Sequence, residues 1–248
     1  MSLLAERESL TDESFRNIWS THVVMHSGVG ALTGRTLNMN RFEESSAHQF
    51  LAQHDIEQTF QRTLRSYDAL TILRNYKIVI KIPDVAFELT RTSRVFPGMT
   101  TVATIRHPAG VVRSLKERGW YQNPDLADSG LALPVRMGRF GLVPYWLASL
   151  DEESWYTGSE DDRCLLNYIC TSDFTANRPS FLLNYEEMIK TSGANLKELA
   201  DEMGARESSM SLSIRKSISQ DKPIPSFGEI ANSNLVERAM SIWEQVRI

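Results

Sequence analysis

The chain has 248 residues, 42% of them apolar and 23% charged, with a formal net charge of -4. That size and balance fit one globular domain, residues 1–248, with a sizeable core. The weak negative charge removes any global case for binding nucleic acid or an anionic membrane, so an anion site must be a local concentration of basic groups.

Taken in chain order, Thr11-Asp-Glu-Ser reads as a helix start within Ser9–Ser20. Thr21 to Met25 is a short apolar run leading into the glycine-rich Ser27-Gly-Val-Gly-Ala-Leu-Thr-Gly34. Between Phe42 and Leu73, the residues Phe50, Leu51, His54, Phe60, Leu64 and Leu70 recur at roughly helical spacing. Tyr76 to Lys81 predicts a buried strand, closed by Pro83. Ala86 to Val95 predicts a helix stopped by Pro97-Gly98. Thr100 to Ile105 then reads as a buried strand, and Ala109 to Gly119 as the helix after it. This strand-helix-strand-helix order predicts parallel strands joined by crossover helices.

Tyr121 to Glu160, rich in Gly, Pro and aromatics, predicts an irregular or partly helical excursion. Its aromatics, with Trp120 and Tyr121 at the start and Tyr145, Trp146, Trp155 and Tyr156 further on, either line a pocket or pack the loop down. A helix over Asp161–Asn177, a strand over Ser180–Asn184 and a turn at Tyr185-Glu-Glu-Met follow. Gly193 to Met203 is an amphipathic helix ending at Gly204. Ser208 to Glu229 is polar and poorly periodic, and Asn232 to Val246 is a closing helix carrying Leu235, Met240, Ile242 and Trp243. Cys164 and Cys170 match no zinc spacing and no disulfide framework, and read as buried structural thiols of a reducing cytoplasm. No apolar run is long enough for a bilayer, and Met1 to Glu8 shows no basic leader followed by an apolar stretch, so no signal peptide and a cytoplasmic location are expected; no His/Cys/Asp cluster has metal-ligand spacing.

The most informative stretch is Thr101-Val-Ala-Thr-Ile-Arg-His-Pro-Ala-Gly-Val-Val-Arg-Ser-Leu115. Arg106 stands at the carboxyl end of a strand, Pro108 opens the helix, and Ser114 lies about two turns along it. Ligands of open α/β sheets bind at the carboxyl ends of strands. A guanidinium fork and a hydroxyl delivered there together suit a phosphate. The plainer reading is an Arg106 that covers surface and a Ser114 that is an ordinary helix residue.

The order of motifs resembles the PAPS-dependent sulfotransferases, bacterial type. Arg106-His107-Pro108 with Ser114 has the spacing of the family's Arg-Asp-Pro-x-x-x-x-x-Ser element, with His107 in place of the acid. Lys81-Ile-Pro83 looks like its Lys-Asp-Pro element. Phe181-Leu-Leu-Asn-Tyr-Glu-Glu-Met188 looks like the strand and Tyr-Glu-Asp-Leu turn, and Asn195 to Gly204 like the helix after it. The resemblance covers roughly residues 77 to 204. It implies an α/β, three-layer, mostly parallel sheet flanked by helices, a P-loop NTPase-like sulfotransferase fold. It also implies PAPS (3'-phosphoadenosine 5'-phosphosulfate) as donor, PAP as product, and sulfuryl transfer to a hydroxyl of an unidentified small-molecule or carbohydrate acceptor. Arg106 and Ser114 would hold the 3'-phosphate.

The family's Gly-x-x-Arg-Ser-Gly-Thr loop, which cradles the 5'-phosphosulfate, has no direct match. Either His26–Arg35 is a divergent version, offering Ser27, Gly28, Gly30 and Arg35, or the chain begins just after the loop, with Ser2 to Glu6 as the helix that follows it. Transfer also needs a base for the acceptor's proton and a cation for the leaving phosphate. His48 and Glu44 are the candidate bases, each against a plain surface role, and Lys81 is the candidate cation. His107, beside the phosphate-binding Arg106, reads as local structure. Two other readings stand beside this one: a non-catalytic relative that binds nucleotide or acts as a scaffold, and a small-molecule kinase. The kinase would need a Gly-x-x-x-x-Gly-Lys-Ser/Thr loop, which is absent.

Overall fold

A computed structural model describes residues 11–21, 71, 89–126, 135–174, 179–191, 193–205, 226–227 and 232–246. The chain divides into two compact units, Leu10–Ile82 on one hand and Met1–Ser9 with Pro83–Ile248 on the other.

In the Leu10–Ile82 unit the described element is helix α1 (Asp12–Thr21). It starts where the sequence signals a start: Thr11 Oγ1 accepts the Ser14 N–H at 3.1 Å, and Asp12 and Glu13 place negative charge in the first turn, where the helix dipole favours it. Phe15 and Trp19, one turn apart, bring their rings to 6.4 Å. The glycine-rich segment, the periodic stretch from 42 to 73 and the strand expected from 76 to 81 lie outside the described residues, apart from Thr71.

Among the described residues of the second unit the first element is α2 (Leu89–Val95), followed by β1 (Val102–Ile105) and α3 (Pro108–Glu117). A hairpin of β2 (Val135–Met137) and β3 (Leu142–Pro144) comes next, then a single 3-10 turn at Ser149–Asp151, α4 (Glu152–Thr157) and α5 (Glu160–Ser172). The chain continues through β4 (Phe181–Asn184), α6 (Tyr185–Lys190), α7 (Ala194–Glu202) and α8 (Ser233–Val246). β1 and β4 pair in parallel, with Val102 opposite Phe181 and Ile105 opposite Asn184. This is mixed helix and strand with a small parallel sheet, broadly α/β.

Four details differ from the sequence expectation. β1 is one-faced rather than buried: Val102 and Thr104 are exposed while Ile105 faces inward. Tyr185 begins a helix, because the Asn184 side chain accepts the Glu187 N–H at 3.1 Å and two glutamates occupy the first turn. α5 ends at Ser172 rather than running to 177, where Thr171-Ser172-Asp173 are poor helix formers and Thr171 Oγ1 bonds back to Asn167 O. The excursion contains the β2–β3 hairpin, closed by Gly138 N donating to Gly141 O at 2.8 Å. Its strands of three residues are too short for alternation to register in the sequence.

The core gathers α3, α4, α5, α8 and the excursion. Tyr121, Trp146 and Trp155 are mutually T-shaped, with centroids 5.4 to 6.2 Å apart, in the geometry aromatic rings prefer. Tyr145 belongs to the same cluster, and Trp120 and Tyr156 pack against it. These residues pack the excursion down. A second cluster, Leu89, Ile105, Phe174 and Trp243, lies under the end of β1. α7 stops at Gly204, whose φ of 64° is the left-handed turn that ends helices.

Candidate functional site

The register of the parallel pair builds the site. Thr101 and Ser180 clasp the amino ends of the strands: Thr101 N donates to Ser180 Oγ at 3.1 Å and Ser180 N to Thr101 Oγ1 at 2.9 Å. With Ile105 opposite Asn184, the next residues out, Arg106 and Tyr185, also fall side by side. The Arg106 guanidinium carbon stands 4.7 Å from the centre of the Tyr185 ring. One residue further, the His107 N–H donates to Glu186 Oε1 at 2.9 Å. Two helices, α3 and α6, therefore start together at the carboxyl ends of two parallel strands.

His107 caps α3. Its Nδ1 accepts the Ala109 N–H at 3.3 Å, the position at which a carboxylate would serve. The ring lies 5.7 Å from Trp243 and 6.0 Å from Phe227. These contacts make His107 local structure, and the cap and the ring packing are what the structure adds to that expectation. Pro108 follows at the first helical position, where a missing N–H is harmless.

Arg106 is half-buried and lies back over the first turn of α3. Its Nε, Cζ and Cδ are the nearest atoms to the position a side chain at Gly110 would occupy. Ser114, half-buried, is one helical turn beyond Gly110 on the same face. The contact with the Tyr185 ring engages the cation's charge and spends none of its five N–H donors on a hydrogen-bond acceptor. No hydrogen bond or ion pair among the described residues uses those donors. A fork of donors and a hydroxyl on one face can take an oxyanion.

The half-buried surroundings include polar groups. Glu186 Oε2 and the Tyr168 hydroxyl are buried atoms without a hydrogen-bond partner. Burial, then the nearby Glu186 charge, pushes the Tyr168 phenol well above its ordinary value. Arg113 pairs with Glu117 at 2.9 Å on the exposed side of α3, and Lys116 reaches across to the buried Asp161 of α5. The Lys116 ammonium is raised chiefly by its hydrogen bond to Asp161.

Of the residues singled out in the sequence, the structure places Arg106 and Ser114 on α3 and the turn before it. Ser27, Gly28, Gly30, Arg35, Glu44, His48 and Lys81 lie outside the described residues. Gly110, Tyr185 and Glu186 are the residues that the site adds. The usable signal for Tyr185 and Glu186 is strand register, since both are 79 residues from their partners. Among the described residues no group of His, Cys, Asp and Glu is arranged to hold a metal ion, and no helix is long and apolar enough to cross a membrane. Comparison with known families, curated proteins and solved structures finds no match to this chain.

Proposed function

We propose that this chain binds PAPS and transfers its sulfuryl group to an acceptor hydroxyl, on a three-layer fold of the P-loop NTPase-like sulfotransferase type. The observation that carries the reading is the Arg106 guanidinium at the carboxyl end of β1, stacked on Tyr185 with Ser114 on the adjoining helix face. Arg106 gives a charge-assisted fork and Ser114 a neutral donor to the 3'-phosphate. In the reaction the acceptor oxygen attacks sulfur, and the bond from sulfur to the phosphate oxygen breaks with its electron pair going to PAP. The sequence-based roles complete the account: His48 or Glu44 takes the acceptor's proton, and Lys81 balances charge on the leaving phosphate.

The test is a titration with PAP followed by thermal unfolding. A ligand at a hundred times its dissociation constant stabilises the native state by about 2.7 kcal/mol, a rise of about 5–10 °C for a chain of this size. Wild type is expected to shift, and Arg106→Ala to lose most of the shift. An unshifted wild type overturns the reading. The missing Gly-x-x-Arg-Ser-Gly-Thr segment favours a second reading, a relative that binds the nucleotide without turning it over. A PAP shift with no release of PAP from PAPS across a panel of hydroxyl acceptors selects it.

A further inference from the structure

We infer that Gly110 is a positioning residue for Arg106, holding its guanidinium on Tyr185 so that its donors meet an anionic ligand as a fixed fork; this rests on the nucleotide reading above. The three atoms nearest to where a Cβ at position 110 would stand are all from Arg106: Nε at 2.7 Å, Cζ at 3.2 Å and Cδ at 3.4 Å. Nothing else comes as close, so the space that glycine leaves is space for that guanidinium. Helix propensity gives no reason for glycine here, since alanine is the better helix former. The backbone gives none either: position 110 lies inside α3 and is absent from the glycines with positive φ.

A methyl group at 110 must therefore displace Arg106, while the helix around it keeps its geometry. The displaced atoms are the far end of a flexible side chain, which moves without unfolding anything. What is lost is the stack on Tyr185 at 4.7 Å and with it the fixed direction of the fork. A guanidinium free to choose rotamers must be ordered again on binding, and that weakens affinity.

Gly110→Ala tests this. The variant is expected to melt at or above the wild-type temperature and to bind PAP about tenfold more weakly, the worth of roughly one charge-assisted hydrogen bond. If the enzyme turns over, KM for PAPS rises and kcat holds. In an Arg106→Ala background the same substitution is expected to change affinity less than about twofold, since Gly110 acts only through Arg106. Wild-type-like binding by Gly110→Ala overturns the inference and leaves the nucleotide reading intact. Equal weakening in the Arg106→Ala background also overturns it. Should wild type not bind PAP, the nucleotide reading fails, and the Arg106 Nε–H resonance decides the positioning alone. That resonance, assigned by its loss in Arg106→Ala, is expected to carry the ring-current shift of Tyr185. The shift should vanish in Tyr185→Leu and diminish in Gly110→Ala; a resonance unmoved by Gly110→Ala overturns the inference.

Discussion

His107 shows an imidazole serving as a helix cap, a task that more often falls to Ser, Thr, Asp or Asn. Where a carboxylate or hydroxyl oxygen would usually accept, its Nδ1 accepts the Ala109 N–H at 3.3 Å. The ring adds what a carboxylate lacks, edge contact with Trp243 at 5.7 Å. Both contributions are measurable. Losing a cap costs roughly 1 kcal/mol and losing an aromatic contact about as much. His107→Ala is therefore expected to lose about 2 kcal/mol of unfolding free energy by denaturant titration. His107→Asn keeps a capping oxygen without the ring and is expected to recover about half of that. Equal destabilisation by the two variants would show that the cap contributes nothing.

At the scale of elements, the second unit is held by contacts between segments far apart in sequence. Arg163 of α5 is buried and donates to four carbonyls: Tyr121, Gln122 and Gly158, each at 2.7 Å, and Trp155 at 3.4 Å. It clamps the start of the excursion and the end of α4 onto α5. Burial lowers its pKa without discharging it in any accessible range. Arg163→Met leaves buried carbonyls unpaired and is expected to destabilise by about 3 kcal/mol or more; Arg163→Lys recovers only a minor part, because an ammonium cannot span the same set. A urea titration of the three proteins checks the order. Arg238 and Asp151 join α8 to the 3-10 turn in a similar way, at 3.0 and 3.4 Å. None of these pairings has a local signature. The elements with legible boundaries are those whose signals are local: Thr11 before α1, Pro108 opening α3, Gly204 after α7. The hairpin's three-residue strands are too short to show alternation, while the Arg163 bonds to Tyr121 and Gln122 and the Arg106–Tyr185 contact depend on partners dozens of residues away. Sequence pattern therefore marked Arg106, Ser114 and the Tyr185-Glu-Glu-Met motif, but not that Gly110 and Tyr185 both meet the Arg106 side chain.

The whole molecule carries its two thiols inside the second unit, and they contribute to its response to alkali. Cys164 is fully buried in the core, and burial pushes its thiol up to about 12. Cys170, partly buried against the same core, is pushed up to about 11, again chiefly by burial. In the unfolded chain both ionise near pH 8.5. Below that pH both states keep the protons, and stability does not depend on them. Above it the unfolded chain releases two protons that the native state retains, so stability falls as pH rises, toward a limit of about 1.4 kcal/mol per pH unit for each thiol. The fall continues until the native thiols themselves ionise, near pH 11 for Cys170 and near pH 12 for Cys164. Lysines and tyrosines titrate in the same window, so the comparison must be with a Cys164→Ala/Cys170→Ala protein, whose stability from pH 8 to pH 10 is expected to decline less steeply. The same burial makes the thiolates scarce in the native state. Iodoacetamide at pH 8 is expected to leave native protein unmodified over hours and to label both cysteines promptly in urea. Prompt labelling of the native protein would mean that the α5 face opens far more often than its packing implies.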